Sequence, residues 1–391
     1  MKKRDWMSAS EWPIGYPELL GYCEKASQLL GLPSFEKFSP YFWQKELSGA
    51  ESALFQNEWL KPNISMWAKK PLRFGKAYYA KLKKSRNVRV ILRLNATEIQ
   101  LAAGGTAVES VNAATLDGKK VSIKAKKYVF ACGGLENARL LLVSRGQHPQ
   151  GVGNHYDLVG RYYMDHPRAV FGRVILSHRF DLSRLIGLPL KDGKAQMGLA
   201  LSEKIQKEEE LLNNYLSLET NFSELTQEAY HSFVKLMKRS LRKGYAGKRF
   251  DFWESKIADI PNLIYLLAPR EIMPHFLYRC YSALRKKQKK ELIVVNYCEQ
   301  EPNAESRVTL SMQRDKLGMN LLTLNWKVGR KEMSSLIRLQ ELLGALLKEK
   351  GLGYLQNNSL DENELKFSDA SHHIGTTRMS EDPKKGVVDK N

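Results

Sequence analysis

The segment that most constrains the fold is a short apolar run that ends in two glycines and continues as a helix. Residues Tyr128–Cys132 are apolar without interruption, which is typical of a strand buried on both faces of a parallel sheet. Gly133 and Gly134 follow, and apolar residues then recur at helical spacing up to Ser144. Such glycines let helix N-terminal amides approach a phosphate or an adenine, and they also serve plain strand-to-helix turns, so both interpretations stay open. The junction predicts a mixed α/β fold.

Several further elements can be predicted from periodicity and turn residues. Alternating residues predict a strand over 88–94 that continues through 95–101, and Asp117-Gly118 joins two more strands, at 108–116 and 121–125, in an antiparallel meander. Helical spacing predicts helices over 18–30, up to Lys84 and over 331–350. Strands are expected at 169–176, 291–300, 306–311 and 321–326.

The segment Ser371–Met379 concentrates the residues with acid-base chemistry. It contains adjacent His372 and His373, followed by Gly375 and Thr376. An imidazole exchanges a proton near neutral pH and can act as a general base on a hydroxyl, although adjacent histidines are also common on surfaces and at helix caps. Adjacent histidines point in different directions and do not form a chelate, so no metal site is predicted.

The string from His372 to Met379, with Asp382-Pro383 and Gly386-Val387-Val388-Asp389 after it, resembles the C-terminal signature of glucose-methanol-choline (GMC) flavin oxidoreductases. The string from Gly133 to Ser144 resembles a second signature of that family. The resemblance implies bound FAD, with His372 taking a proton from a substrate hydroxyl while hydride passes to the flavin. It also implies cofactor contacts, which are Gly133, Gly134, Asn137, His373 and backbone groups near Ala96.

The resemblance also implies a domain plan. Residues 1–158 would be the remainder of an FAD-binding domain, with the meander and a last parallel strand. Residues 159–368 would form a substrate-binding domain whose antiparallel sheet is flanked by helices, with a basic helical insertion at 203–290, and residues 369–391 would return to the FAD domain. His166 is expected to be a structural or pocket residue. The G-x-G-x-x-G fingerprint does not occur after a strand, and the family's second catalytic His or Asn would lie beyond Asn391. We therefore expect an internal portion of such an enzyme, with a complementary chain or subunit as a partner.

Composition bounds the function. The four cysteines have no paired short spacing and are expected to be buried thiols in a reducing compartment. The net charge of +20 suggests an anionic partner, but no zinc finger, RNA-recognition or helix-turn-helix signature accompanies it, so nucleic acid is not expected. Neither a signal peptide nor an apolar run of membrane-spanning length is predicted. The cytoplasm or a peripheral membrane position is favoured.

The leading hypothesis is an FAD-dependent oxidoreductase that oxidises a CH-OH group of a sugar, polyol or other alcohol and passes electrons to an external acceptor. The alternative is a non-catalytic binding or scaffold protein that uses its basic face for an anionic glycan, a lipid or a partner subunit.

Overall fold

The computed structural model describes residues 4–8, 12–47, 49–177, 182–219, 291–357 and 366–391, and the statements below concern those residues. Its largest feature is an antiparallel sheet, in which the strand order is β1-β7-β8-β9-β5-β12 and β6 pairs with β7. The strands of this sheet are β1 (Leu60–Ala68), β5 (Arg168–Leu176), β6 (Leu188–Leu190), β7 (Gly193–Leu201), β8 (Tyr215–Glu219), β9 (Glu291–Tyr297) and β12 (Gly353–Gln356).

One long helix covers part of this sheet and supplies the main core. Helix α8 (Arg330–Glu349) buries a leucine stripe against strands β5, β8 and β9, and its members are Leu339, Leu342, Leu343, Leu346 and Leu347. Its first turn is fixed by buried Glu332, which accepts the N–H groups of Gly329 at 2.9 Å and of Glu301 at 2.8 Å. Burial raises the pKa of Glu332 above its ordinary value. The prediction of a helix over 331–350 is confirmed.

A three-stranded meander and a helix form a second packing unit. The meander consists of β2 (Asn95–Leu101), β3 (Val108–Ala114) and β4 (Lys120–Ile123), and its β3–β4 turn contains Gly118 with φ +91°. Helix α5 (Gly133–Val143) packs on β2, where the Ile99 N–H donates to Ser144 Oγ at 2.8 Å. The predictions of the meander, the Asp117-Gly118 turn and the helix after the glycines are confirmed.

A two-stranded ribbon lies against the other side of α5. Its strands are β10 (Arg307–Arg314) and β11 (Asn320–Asn325), which pair with each other and with none of the other described strands. Arg139 of α5 joins the ribbon through Asp315 Oδ2 at 2.6 Å and the Asn320 carbonyl at 2.8 Å. These two strands lie within the expected substrate-binding domain at 159–368, but they do not join the large sheet, because their side chains pack on α5.

The remaining helices are short or lie at the surface, and they are α1 (Tyr16–Leu30), α2 (Pro40–Glu46), α3 (Gly49–Ala53), α4 (Phe74–Lys84), α6 (Ser183–Ile186) and α7 (Glu203–Glu208), with a 3-10 helix at Phe35–Phe38. Helices α1 and α4 confirm the predicted helices there, although both are mostly exposed. Among the described helices, none combines the length and the apolar character that a membrane crossing requires.

Two predicted strands are not formed. Residues 88–94 and 128–132 are outside any strand. Several of their apolar side chains face solvent, with exposures of 78% for Leu92 and 90% for Val129, although Phe130 packs against the core under α5. The last parallel strand of the expected FAD-binding domain is thus absent from the described residues. A strand needs neighbours that satisfy its N–H and C=O groups, and no described segment pairs with either of these.

Two strands of the large sheet come from parts of the chain that the expected domain plan places elsewhere. Strand β1 lies within the expected remainder of the FAD-binding domain, yet it pairs along its whole length with β7 of the large sheet. Strand β8, in the expected helical insertion at 203–290, is an inner strand of that sheet, and residues 220–290 lie outside the described residues. Both strands lie in the large sheet because their apolar side chains are buried in the same hydrophobic core.

The expectation of four buried thiols is also wrong. Cys298 is buried, whereas Cys23 and Cys132 are exposed, because they lie on surface helix α1 and at the open end of the unpaired 128–132 segment. Cys280 lies outside the described residues.

The leucine stripe of α8 should dominate stability. Leu339 is fully buried, whereas Leu29 on α1 is 57% exposed. We expect Leu339→Ala to lower the free energy of unfolding by about 2–5 kcal/mol because it leaves a cavity, and Leu29→Ala to change it by less than about 0.5 kcal/mol. Urea denaturation followed by circular dichroism measures both, and equal effects would contradict this view of the core.

Candidate active site

The site is built around the chain segment 160–168, here called the crossover segment. On one side it bonds to the start of the ribbon: the Val308 N–H donates to the Gly160 carbonyl at 2.8 Å. Tyr163 and Ser306 form a reciprocal pair, in which the Tyr163 N–H donates to the Ser306 carbonyl at 2.8 Å and Ser306 Oγ donates to the Tyr163 carbonyl at 2.7 Å. The ribbon therefore fixes the position of the crossover segment.

On its other side the crossover segment binds residues 369–379, here called the His loop. Met164 and Ile374 exchange backbone hydrogen bonds of 2.9 and 3.0 Å, and the Gly160 N–H donates to the Thr376 carbonyl at 2.8 Å. Buried Thr376 also donates its hydroxyl to the Gly134 carbonyl at 2.5 Å. These bonds place the His loop against the first turn of α5, so the structure brings the two sequence signatures together.

Gly375 allows this close contact. It has φ +97°, and a Cβ atom built on it would lie 1.8 Å from the Tyr162 carbonyl oxygen. Only glycine tolerates both the left-handed backbone and this approach. Gly375 thus sets the path of the chain directly after the two histidines.

The two imidazoles have different environments. His372 is exposed, and its ring lies perpendicular to that of His166 with the centroids 5.6 Å apart. His373 is half-buried, tilted against Tyr163 at 5.6 Å, with its Nε2 3.5 Å from Asp165 Oδ2. Burial, with the negative charges of Asp165 and Asp369, raises the pKa of Tyr163 to about 12. His372 is therefore the more exposed of the two imidazoles.

His166 is a structural neighbour of this site. Its Nδ1 lies 3.2 Å from the Cys298 carbonyl, and its N–H donates to Asp165 Oδ1 at 2.6 Å. These contacts agree with the expectation that a histidine before proline in the crossover is a structural or pocket residue.

The sequence-predicted cofactor residues separate into two groups. Gly133 and Gly134 lie at the start of α5 beside the His loop, where a Cβ on Gly134 would lie 3.0 Å from the His373 carbonyl oxygen. The side-chain amide of Asn137 binds the preceding backbone: it accepts from the Cys132 N–H at 3.0 Å and donates to the Phe130 carbonyl at 3.1 Å. Ala96 lies on β2 opposite Ala113 and packs among the residues under α5. The glycines thus adjoin the histidines, whereas Asn137 shapes the loop before them.

Two site residues were not predicted from the sequence. The sequence patterns do not single out Asp165, and they indicate Thr376 only as a residue of the His372–Met379 motif. The sequence feature that could have indicated Asp165 is its position directly before His166-Pro167, in a segment that is hydrogen-bonded to the His loop. The signal for Thr376 is a hydroxyl next to a glycine that requires a tight backbone approach.

Two segments of the chain match models of a known protein family. Residues 73–168 match the N-terminal model of the GMC oxidoreductases and residues 302–391 match the C-terminal model, both described as GMC oxidoreductase. The chain thus contains segments similar to both the N-terminal and the C-terminal model of the GMC oxidoreductases. The matched segments contain the α5 start, the crossover segment and the His loop.

Two relatives are enzymes that act on sugars or sugar-like molecules by name. Paromamine 6'-oxidase of Streptomyces fradiae is 24% identical over 273 residues, which is 68% of this chain and 38% of that protein. The fructose dehydrogenase large subunit of Gluconobacter japonicus is 22% identical over 270 residues, which is 68% of this chain and 40% of that protein. The matches thus span about two fifths of the length of either relative.

Among solved structures, a formate oxidase matches 78% of this chain and 54% of its own at 15% identity and a TM-score of 0.40. A variant of the Aspergillus oryzae formate oxidase matches 92% of this chain and 64% of its own at 14% identity and a TM-score of 0.44.

FAD is the cofactor that the family implies, and the residues at the start of α5 fit part of it. Cys132 at the N-cap makes no side-chain capping bond, and a Cβ on Gly133 would meet no atom within 4 Å. The first turn of α5 therefore lacks a side-chain cap and has room beside Gly133, which suits a phosphate or another anionic or polar group. Gly133 and Gly134 would hold this part of the cofactor next to the His loop.

The Gly375 contact yields a matched prediction. Gly118 has a similar φ of +91°, but a Cβ there would meet nothing within 4 Å. We expect Gly118→Ala to cost about 1–2 kcal/mol of unfolding free energy from backbone conformation alone. Gly375→Ala should cost more than about 3 kcal/mol, because the Tyr162 carbonyl must also move. Chemical denaturation of both variants measures this, and equal costs would contradict the described loop packing.

Proposed function

We propose that the chain is the catalytic portion of an FAD-dependent oxidoreductase that oxidises a CH-OH group of a sugar, polyol or related alcohol. The observation that carries the proposal is the position of exposed His372 on a loop that is bonded to the start of α5, the predicted cofactor-binding turn. The matches to both GMC oxidoreductase models support the oxidoreductase class, and the two sugar-related relatives support the substrate class.

In this proposal His372 is the general base. Its ring is exposed and lies beside His166, whereas the ring of His373 faces Asp165 and Tyr163. A neutral imidazole within hydrogen-bond reach of a substrate hydroxyl can accept its proton as the C–H bond is broken. When bound, FAD supplies the two-electron acceptor that no side chain can replace. The chain's own residues therefore orient the hydroxyl and accept its proton.

The loop geometry makes His372 a well-placed base. Bonds to the crossover segment and to Gly134 hold the loop on both sides of Gly375, so the backbone of His372 has little freedom. Fixed geometry contributes to catalysis because the orientation need not be acquired in each reaction cycle. The electrons leave, in this proposal, through an external acceptor.

A complementary polypeptide is part of the same proposal. Two segments with exposed apolar side chains are available for strand pairing, and their apolar residues are Val88, Val90, Ile91, Leu92 and Val129. Exposed apolar runs that lie outside any sheet are templates for pairing with another chain. We propose that a polypeptide with the glycine-rich dinucleotide fingerprint packs there and completes the FAD site.

The role of His372 can be tested through the flavin spectrum. We expect His372→Gln to bind as much FAD as the wild-type chain, judged by visible absorbance after desalting. Flavin bleaching by a panel of aldoses, ketoses and polyols should slow by about 10²–10⁴-fold, because the general base is lost. His148→Gln is the matched control, since its ring lies against Gly105 in the meander turn.

Wild-type bleaching in His372→Gln would contradict the assignment of the base. A wild-type chain that is folded but takes up no FAD, alone or with the complementary polypeptide, would contradict the proposed function and favour the binding-protein alternative.

The exposed apolar segments predict self-association of the chain alone. We expect sedimentation velocity to show concentration-dependent oligomers that the double variant Leu92→Lys, Val129→Lys removes, because charges interrupt strand pairing between copies. Met312→Lys is the control, since Met312 is 93% exposed on the ribbon. Equal association of all three proteins would exclude these segments as the docking surface.

A further inference from the structure

We infer that Asp165 is the positioning residue of the His loop, which fixes the backbone of His372 with one carboxylate oxygen and the ring of His373 with the other. This inference deepens the proposed function and rests on it where it concerns the catalytic role of His372. The contacts themselves belong to the folded chain and can be tested without any turnover.

The first oxygen holds backbone groups of two distant segments. Asp165 Oδ1 accepts the N–H of His166 at 2.6 Å, of His372 at 3.1 Å and of Ala370 at 3.3 Å. A carboxylate binds such donors more strongly than a neutral acceptor. One atom therefore couples the crossover segment, which carries His166, to the part of the His loop that carries His372.

The second oxygen faces His373. Asp165 Oδ2 is buried and has no hydrogen-bond partner among the described residues, while His373 Nε2 lies 3.5 Å away. A buried carboxylate is costly unless a donor or a positive charge faces it. Nearby Tyr163 is a neutral phenol, and Asp369 carries the same charge as Asp165, so His373 is the group that compensates. Asp165 thereby selects the form of His373 that carries a proton on Nε2.

The backbone of Asp165 is itself fixed from the ribbon side. Its N–H donates to Gln300 Oε1 at 3.1 Å, and the same oxygen accepts from Trp326 Nε1 at 2.9 Å. Gln300 is buried, so this acceptor is not shared with bulk solvent. The carboxylate is therefore held in place by residues outside the His loop, as a positioning group requires.

This arrangement divides the work between the two histidines. His373 is engaged by Asp165 through its ring, whereas His372 is held through its backbone N–H and keeps its exposed ring available. Asp165 therefore gives the two adjacent histidines different tasks.

Two substitutions separate the two oxygens. In Asp165→Asn, Oδ1 can still accept the backbone N–H groups, but the amide NH2 replaces the oxygen that faces His373. In Asp165→Ala both functions are lost. Asp369→Asn is the matched control, because it removes an exposed carboxylate from the same cluster while the contacts of Asp165 remain.

Two measurements on the whole chain report the two roles. Amide hydrogen exchange of Ala370 and His372 should accelerate by about tenfold or more in Asp165→Ala and by less than about threefold in Asp165→Asn and Asp369→Asn. Long-range 1H–15N spectra of the histidine rings should show the Nε2 proton of His373 in the wild type and in Asp369→Asn, and its loss in Asp165→Asn. If Asp165→Ala does not fold, the ring spectra of Asp165→Asn still decide the matter.

Unchanged ring spectra in Asp165→Asn would overturn the inference, as would unchanged exchange in Asp165→Ala. Stoichiometric Zn²⁺ binding that requires Asp165, Asp369 and His373 would also overturn it, because the free oxygen would then serve a cation. Failure of the proposed function is a separate result: His372→Gln would bleach flavin at the wild-type rate while the Asp165 variants still gave the expected spectra.

Discussion

The site depends on the backbone of the crossover segment, which is hydrogen-bonded along both of its edges. The Gly160 carbonyl accepts from Val308 of the ribbon, and the Gly160 N–H donates to Thr376 of the His loop. A Cβ on Gly160 would lie 2.3 Å from the Val308 carbonyl oxygen, so this double contact requires glycine. Because ribbon, crossover and loop form one ladder, the position of His372 is determined by residues more than sixty positions earlier in the chain.

Electrostatics adds to this ladder what backbone bonds cannot supply. Backbone pairing fixes where the loop runs, but it does not distinguish two adjacent imidazoles. The distinction comes from Asp165, which is buried, and from the exposure of the opposite side of the loop. The ring of His373 lies beside a buried carboxylate, whereas the ring of His372 is exposed. Two identical side chains therefore have different surroundings.

Local elements of the fold could be predicted from the sequence, and their assembly could not. The α5 start, the Asp117-Gly118 turn and the α8 stripe depend on near neighbours in the chain, and each was found. Strand β1 is not predicted from the sequence at all. The ribbon strands are predicted, but not their packing on α5, because alternation shows that a strand has one apolar face but not which face it meets. In the site, the motif predicted His372 and the glycines, whereas Asp165 is defined only by three N–H groups that converge in space.

The unpaired segments 88–94 and 128–132 separate what this chain determines alone from what the proposed partner would supply. The His loop is formed by contacts among described residues, and none of these contacts involves either segment. The first turn of α5, by contrast, follows directly from the exposed 128–132 segment. Order in the proton-accepting part of the site should therefore be independent of cofactor binding, whereas cofactor affinity should depend on whatever covers Val129 and Leu92. The proposed base and the carboxylate inferred to position it can thus be studied in this chain, whereas the strength of FAD binding would belong to the proposed assembly.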